Sequence, residues 1–194
     1  MASQYFPVSW LLYHTLALKL AATIRSHNLT FDEIVAIARG GLTLGHIMSD
    51  FLNLPVCTFT IQSYKDIRDQ GLVEITEPMK KPIKGKHILL VDDIADSGKT
   101  LSRAKAYLTQ LKPKSVTIMT MFYKPASIVI PDFYAKKTDK WVIFPSEVAE
   151  TIRSITRLME KGGKSKAQIQ NMLISLGFSK DQIIYVRKHH LKAL

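Results

Sequence analysis

A parallel-sheet α/β fold is what this 194-residue sequence predicts. Three observations lead there. Four short apolar runs, Ile34 to Ile37, Val56 to Ile61, His87 to Val91 and Ser115 to Phe122, have the length and composition of buried strands. Helical or turn-rich segments separate them, and strands that alternate with helices pair in parallel through crossovers. Two turns rich in glycine and charge, Arg39-Gly40-Gly41 and Asp92 to Thr100, follow the first and third runs. Ligands bind at that end of such strands.

The elements follow in order. Trp10, Tyr13, Ala17, Leu20 and Ile24 recur every three or four residues, the period of an amphipathic first helix. A second helix is expected from Leu42 to Leu52, and Pro55 opens the second strand. From Gln62 to Lys86 the chain is polar and carries Gly71, Pro78, Pro82 and Gly85. A loop of that length in a compact domain is usually functional. Ser97-Gly98 introduces a helix from Lys99 to Leu111, which Pro113 stops. Glu147 to Glu160 reads as a helix, broken by Gly162-Gly163. Beyond it, Ser165-x-x-Gln168 and Ser179-x-x-Gln182 are capping-box patterns that each open a helical stretch. Ile169, Leu173 and Leu176 form the apolar face of one, Ile183 and Val186 that of the next. The expected organisation is an α/β core over residues 1–145 and a basic helical extension over 146–194.

Composition excludes several classes. Apolar residues make up 46% and charged residues 22%, which fits a globular domain and not a disordered or fibrous chain. Cys57 is the only cysteine, so neither a disulfide framework nor a cysteine zinc cage is available. It is expected as a small buried residue in a reducing, cytoplasmic protein. The apolar stretch from Trp10 to Ile24 is interrupted by His14 and Lys19 and lacks a basic start, so neither a membrane anchor nor a secretory signal is expected. The net charge is +11, of which residues 151–194 hold +7 through 9 basic and 2 acidic side chains. Such a tail attracts nucleic acid, steers an anionic substrate, or serves solubility.

The stretch Val91-Asp92-Asp93-Ile94-Ala95-Asp96-Ser97-Gly98-Lys99-Thr100 carries most of the chemistry. A small-residue turn with two hydroxyls at a helix N-terminus has the parts of a phosphate cradle. Two carboxylates beside a phosphate repel it unless something neutral or cationic lies between. Sugar hydroxyls meet that need, and so does a magnesium ion, so the pattern asks for a sugar phosphate. Gly98-Lys99-Thr100 also ends a nucleotide P-loop, but that motif requires a glycine where this chain has Asp93.

Val91 to Thr100 resembles the phosphoribosyl-pyrophosphate signature of the type I phosphoribosyltransferases. Ala95 departs from it, standing where most members carry a larger aliphatic residue. The likeness runs over about residues 30–145 and is closest to purine enzymes of the hypoxanthine and xanthine-guanine type. It implies a parallel-sheet core with a hood on its carboxyl side, and leaves the helical tail outside. Arg39, Gly40 and Gly41 resemble the pyrophosphate loop, for which a non-proline cis peptide is expected. Asp92 and Asp93 then hold the ribose hydroxyls, and Asp96, Ser97, Gly98, Lys99 and Thr100 bind the 5-phosphate, with Asp96 handling a proton at the base. Ser63-Tyr64 resembles the start of the loop that closes over the site. Lys124 resembles the residue that reads a 6-oxopurine, and Trp141-Val142 the hood that stacks the base. Magnesium is expected, held mainly by substrate with Asp92 or Asp93 assisting, in a homodimer or homotetramer. Alternatives are an adenine enzyme and a non-catalytic sensor of phosphoribosyl pyrophosphate that binds nucleic acid through the tail.

Overall fold

The computed structural model describes residues 2–63 and 73–191, and the chain divides into two compact units, residues 14–139 and residues 1–13 with 140–194. The sequence reading set its boundary at residue 145; here strand Trp141–Ile143 groups with the helical tail.

The larger unit is a six-stranded sheet. In chain order its strands are β2 (Glu33–Ala38), β3 (Val56–Ser63), β4 (Val73–Glu77), β5 (His87–Ala95), β6 (Ser115–Tyr123) and β7 (Phe133–Lys137), after β1 and α1 described below. Their spatial order is β4-β3-β2-β5-β6-β7, and every pairing is parallel except that of β4 with β3. Helix α2 (Gly40–Leu52) connects β2 to β3 on one side, and α3 (Lys99–Gln110) connects β5 to β6 on the other. The sheet therefore reverses its winding between β2 and β5, and the crevice beyond their carboxyl ends is where such sheets bind ligands.

Strand alternation places the two helices on opposite faces. Val35 and Ile37 join Leu101, Ala104 and Leu108 of α3 in one buried cluster with Phe59, Ile88 and Leu90. Ala36, one residue out of phase, meets α2, where a Cβ on Gly45 would lie 2.7 Å from its own. Two small residues thus let helix and strand approach closely.

The smaller unit contains β1 (Tyr5–Pro7), β8 (Trp141–Ile143), α4 (Val148–Lys161), α5 (Lys166–Ser175) and α6 (Lys180–His190). β1 and β8 form a two-stranded parallel sheet, with Tyr5 opposite Trp141 and Pro7 opposite Ile143. Its core joins Tyr5 and Ile143 to Ile152, Ile155 and Met159 of α4, Ile169 and Leu173 of α5, and Ile183 and Val186 of α6. Both expected capping boxes form: the Ser165 and Ser179 hydroxyls accept from the Gln168 and Gln182 amides, and each glutamine side chain accepts in return from the serine amide. Each satisfies two of the donors that a helix start leaves open.

Several expectations need correction. Helix α1 (Trp10–Ser26) buries Tyr13, Ala17, Leu20 and Ile24 as its period requires, but Trp10 stays 55% exposed. The stretch read as one loop from Gln62 to Lys86 holds the tail of β3, strand β4 and, near its end, two lysines that clamp a carboxylate. Glu33, wholly buried at the start of β2, accepts from Lys81 Nζ at 2.7 Å and from Lys86 Nζ at 3.0 Å. Cys57 is half-buried rather than buried. Among the described residues, no helix is long and apolar enough to cross a membrane.

Candidate active site

Three strand ends of the larger unit build the candidate site. At the first, the Ala38–Arg39 peptide is cis, as the resemblance implies for this loop. Helix α2 begins at Gly40, so Arg39 takes its N-cap position and Gly40 and Gly41 form its first turn rather than a separate loop. The glycines are there for room. A Cβ on Gly40 would stand 2.7 to 2.8 Å from the Asp93 carboxylate atoms. One on Gly41 would press on the Val91 carbonyl oxygen and come within 3.2 Å of Asp92 Cα. The start of α2 therefore lies directly on the acidic end of β5.

At the second end, β5 runs on through the acidic pair to Ala95, instead of stopping at Val91. Pairing with β6 continues, Asp92 opposite Thr120 and Ala95 opposite Tyr123, which keeps both acids on a rigid ladder. Asp92 is 7% exposed and accepts from the Asp93 amide at 3.0 Å, while Asp93 is half-buried against Gly40.

The turn from Asp96 to Gly98 leads into α3. Gly98 sits at φ 79°, and a Cβ there would meet Ser127 Oγ at 2.5 Å and the Val129 amide nitrogen at 2.7 Å. Only glycine satisfies both the left-handed backbone and that contact. Ser97, Lys99 and Thr100 are exposed or half-exposed beside the opening turn of α3, where amides lack helical partners.

The third end is β6. The Lys124 amide donates to the Ala95 carbonyl at 2.9 Å and the Ile128 amide to the Ser97 carbonyl at 3.0 Å, which straps this loop onto the phosphate-type turn. Lys124 Nζ lies 3.0 Å from Asp96 Oδ1; the lysine is 21% exposed and the carboxylate 66%. The structure thus brings together Arg39 to Gly41, Asp92, Asp93, Asp96 to Thr100 and Lys124. Ser127 and its neighbours were not foreseen as part of this framework; a polar residue shortly after a strand end was their one sequence signal.

Ser63 ends β3, and Tyr64 lies outside the described residues. Trp141 and Val142 belong to the smaller unit. Val142 is buried opposite Phe6, and Trp141 is 50% exposed with its ring centroid 6.1 Å from that of Tyr5. Among the described residues no group of three or more histidine, cysteine or acidic side chains forms a metal cage. Asp92 and Asp93 offer two adjacent carboxylates, a donor set that fits a magnesium ion ligated chiefly by substrate and water.

Residues 12–163 match the phosphoribosyl transferase domain model. The chain belongs to this family. It is 31% identical over 151 residues to the xanthine-guanine phosphoribosyltransferase of Gluconobacter oxydans, covering 75% of this chain and 86% of that protein. A purine phosphoribosyltransferase structure from Pyrococcus horikoshii superposes with a TM-score of 0.67 at 30% identity, covering 73% of this chain and 93% of that one. A xanthine-guanine-hypoxanthine phosphoribosyltransferase structure from Helicobacter pylori gives 0.65 at 25% identity, covering 77% and 99%. The α/β fold with its mainly parallel sheet is the fold of these structures, and the protein is a phosphoribosyltransferase.

Proposed function

We propose that the protein transfers the phosphoribosyl group of phosphoribosyl pyrophosphate to a 6-oxopurine, giving the nucleoside monophosphate and pyrophosphate. The observation that carries this reading is the Lys124–Asp96 pair, which sets a cation that reads an exocyclic oxygen against the acid that opens the phosphate turn. Two of the relatives named above act, by their names, on xanthine and guanine, one of them also on hypoxanthine, and the third on a purine.

In this reading a purine ring nitrogen forms a bond to the sugar carbon as the bond from that carbon to the pyrophosphate oxygen breaks. Pyrophosphate leaves with the electron pair, and the proton on the attacking nitrogen passes to Asp96. Positive charge gathers on the sugar at the transition state, so the protein's contribution is positional and electrostatic. Asp92 and Asp93 accept from the ribose hydroxyls. The opening amides of α3, with Ser97 and Thr100, hold the 5-phosphate. Arg39 and the amides of Gly40 and Gly41 hold the pyrophosphate. Magnesium, when bound, offsets pyrophosphate charge, with Asp92 or Asp93 available as ligands. The family resemblance assigns base stacking to Trp141 and Val142, and the start of the segment that excludes water to Ser63 and Tyr64.

Two variants separate the roles. Asp96→Asn lowers turnover far more than affinity for the sugar pyrophosphate, and unchanged turnover removes Asp96 as the proton acceptor. Lys124→Ala weakens hypoxanthine, guanine or xanthine by about 1–3 kcal/mol, the worth of a charged hydrogen bond, while sparing adenine. The direct test is pyrophosphate release with magnesium, phosphoribosyl pyrophosphate and each purine in turn. Release with oxopurines supports the reading, and release with adenine alone overturns the role of Lys124. Binding of the sugar pyrophosphate without release for any base points to a regulator.

A further inference from the structure

The smaller unit holds a cleft that shares only Trp141 with the residues assigned to the transfer reaction. Tyr5 of β1, Trp141 of β8 and one side of α4, namely Ser154, Ile155, Arg157, Leu158 and Lys161, enclose about 310 Å³. That is the lower range of small-molecule sites. Its lining contains none of Arg39 to Gly41, Asp92 to Thr100 or Lys124.

The walls divide by chemistry. Tyr5 and Trp141, tilted by 41° at 6.1 Å, make with Ile155 and Leu158 an apolar slot, and Trp141 and Leu158 each leave about half their surface to solvent, 50% and 55% exposed. Arg157 and Lys161, about one helical turn apart, supply the cationic side, and Ser154, one turn before Arg157, joins the lining. Arg153 continues the row one turn earlier and buries its Nε with no acceptor in reach. Among the described residues none of these three cations has an ion-pair partner, although Glu160 lies three residues from Arg157 on the same helix. Like charges four residues apart oppose the helix that carries them. The Lys161 ammonium is eased by the helix C-terminus; Arg157 and Arg153 sit too far back for that.

The half-exposed Trp141 ring, backed by the buried Tyr5, offers one face to a flat heterocycle, and a neighbouring arginine and lysine take a phosphate. We propose that this cleft binds a nucleoside monophosphate, the base against Trp141 and Leu158 and the phosphate on Arg157 and Lys161.

Calorimetric titration of the full chain with GMP tests this. Two GMP per chain are expected, one at the transfer site and one in the cleft. In Arg157→Ser/Lys161→Ser the cleft event weakens by about tenfold or more, as loss of two charged contacts requires, while the transfer rate without added GMP is unchanged. In Asp92→Asn/Asp93→Asn the cleft event persists. A single GMP per chain, unaffected by Arg157→Ser/Lys161→Ser, overturns the proposal, and so does inorganic phosphate binding the cleft as tightly as GMP. If Leu158→Lys instead lowers the oligomeric mass and no second GMP binds, a second copy of the chain covers the cleft and the proposal fails. A protein that releases no pyrophosphate with any purine but keeps the arginine- and lysine-dependent GMP site would refute the transfer reading and leave this one standing.

Discussion

Gly41→Ala gives a sign test of the site's construction. Gly41 lies in the first turn of α2, and helix propensity alone expects alanine to stabilise a helix by up to about 1 kcal/mol. The structure reverses that sign. The added Cβ would press on the Val91 carbonyl oxygen, with the Val91 carbon at 3.1 Å and Asp92 Cα at 3.2 Å, all backbone of a central strand held by hydrogen bonds on both sides. None of these atoms can rotate away. To reach the ordinary ~3.5–4.0 Å between carbons, the start of α2 must withdraw by on the order of 0.5–1 Å. Overpacking of this kind costs about 1–3 kcal/mol, and set against a propensity gain of up to about 1 kcal/mol the expected loss is roughly 0–2 kcal/mol, centred near 1. Activity falls further, because withdrawal moves Arg39 and Gly40 from Asp93, and a displacement near 1 Å can cost ~100-fold in rate. Urea unfolding and initial rates of pyrophosphate release, measured side by side, read both effects. A Gly41→Ala protein as stable as the parent and equally active would refute the claim that α2 is seated on β5 by this contact.

Other consequences concern the buried groups. Because Lys81 and Lys86 reach Glu33 from the surface, with side chains 45% and 34% exposed, Glu33→Leu frees both to water and is nearly neutral. Lys86→Met leaves the buried carboxylate half-compensated and costs about 1–3 kcal/mol in urea unfolding; the opposite ranking would refute the clamp. Burial, then the neighbouring Glu33 carboxylate, push the Cys57 thiol up to about 11 from an ordinary 9.0. The folded chain therefore holds this proton between pH 9 and 11 where the unfolded chain loses it, so the contribution is full below pH 9 and fades as pH rises through 11. Cys57→Ala should show a shallower stability loss over that window, and Cys57 should alkylate slowly at pH 8 until denaturant is added.

Much of this architecture was legible in the residues. β2 and β5 announce themselves because they are buried on both faces and so read as apolar runs, whereas β3 buries Phe59 and Ile61 but leaves Val56 and Thr58 exposed. The acidic signature and the glycine pair were legible because their chemistry is improbable on an ordinary surface, and the lysine after β6 only through its order and spacing behind that signature. What escaped was held by partners far away in sequence. Strand β4, Val-Glu-Ile-Thr-Glu, lies at a sheet edge with only partial burial, and its alternation is too short to separate from a polar loop. β1 and β8 have three residues each and exist because they pair. Asp92 and Asp93 look like a strand terminator by composition, yet the ladder to β6 carries the backbone past them. Trp10 fits the helical period but stands 55% exposed, because period alone does not say where an apolar stripe ends.

The pairing of Tyr5–Pro7 with Trp141–Ile143 has a consequence for the order of assembly. Synthesis runs from the amino end, so the segment that anchors β8 must wait for more than a hundred residues before its partner exists. The closing entropy of such a span is large, and the reward comes only when both ends are present. The larger sheet has all its strands by residue 137 and can form beforehand, whereas the strand that carries Trp141 is completed last. An amino-terminal fusion or a shortened start would therefore be felt first at the tryptophan, while the acidic loop and its glycines went on folding as before.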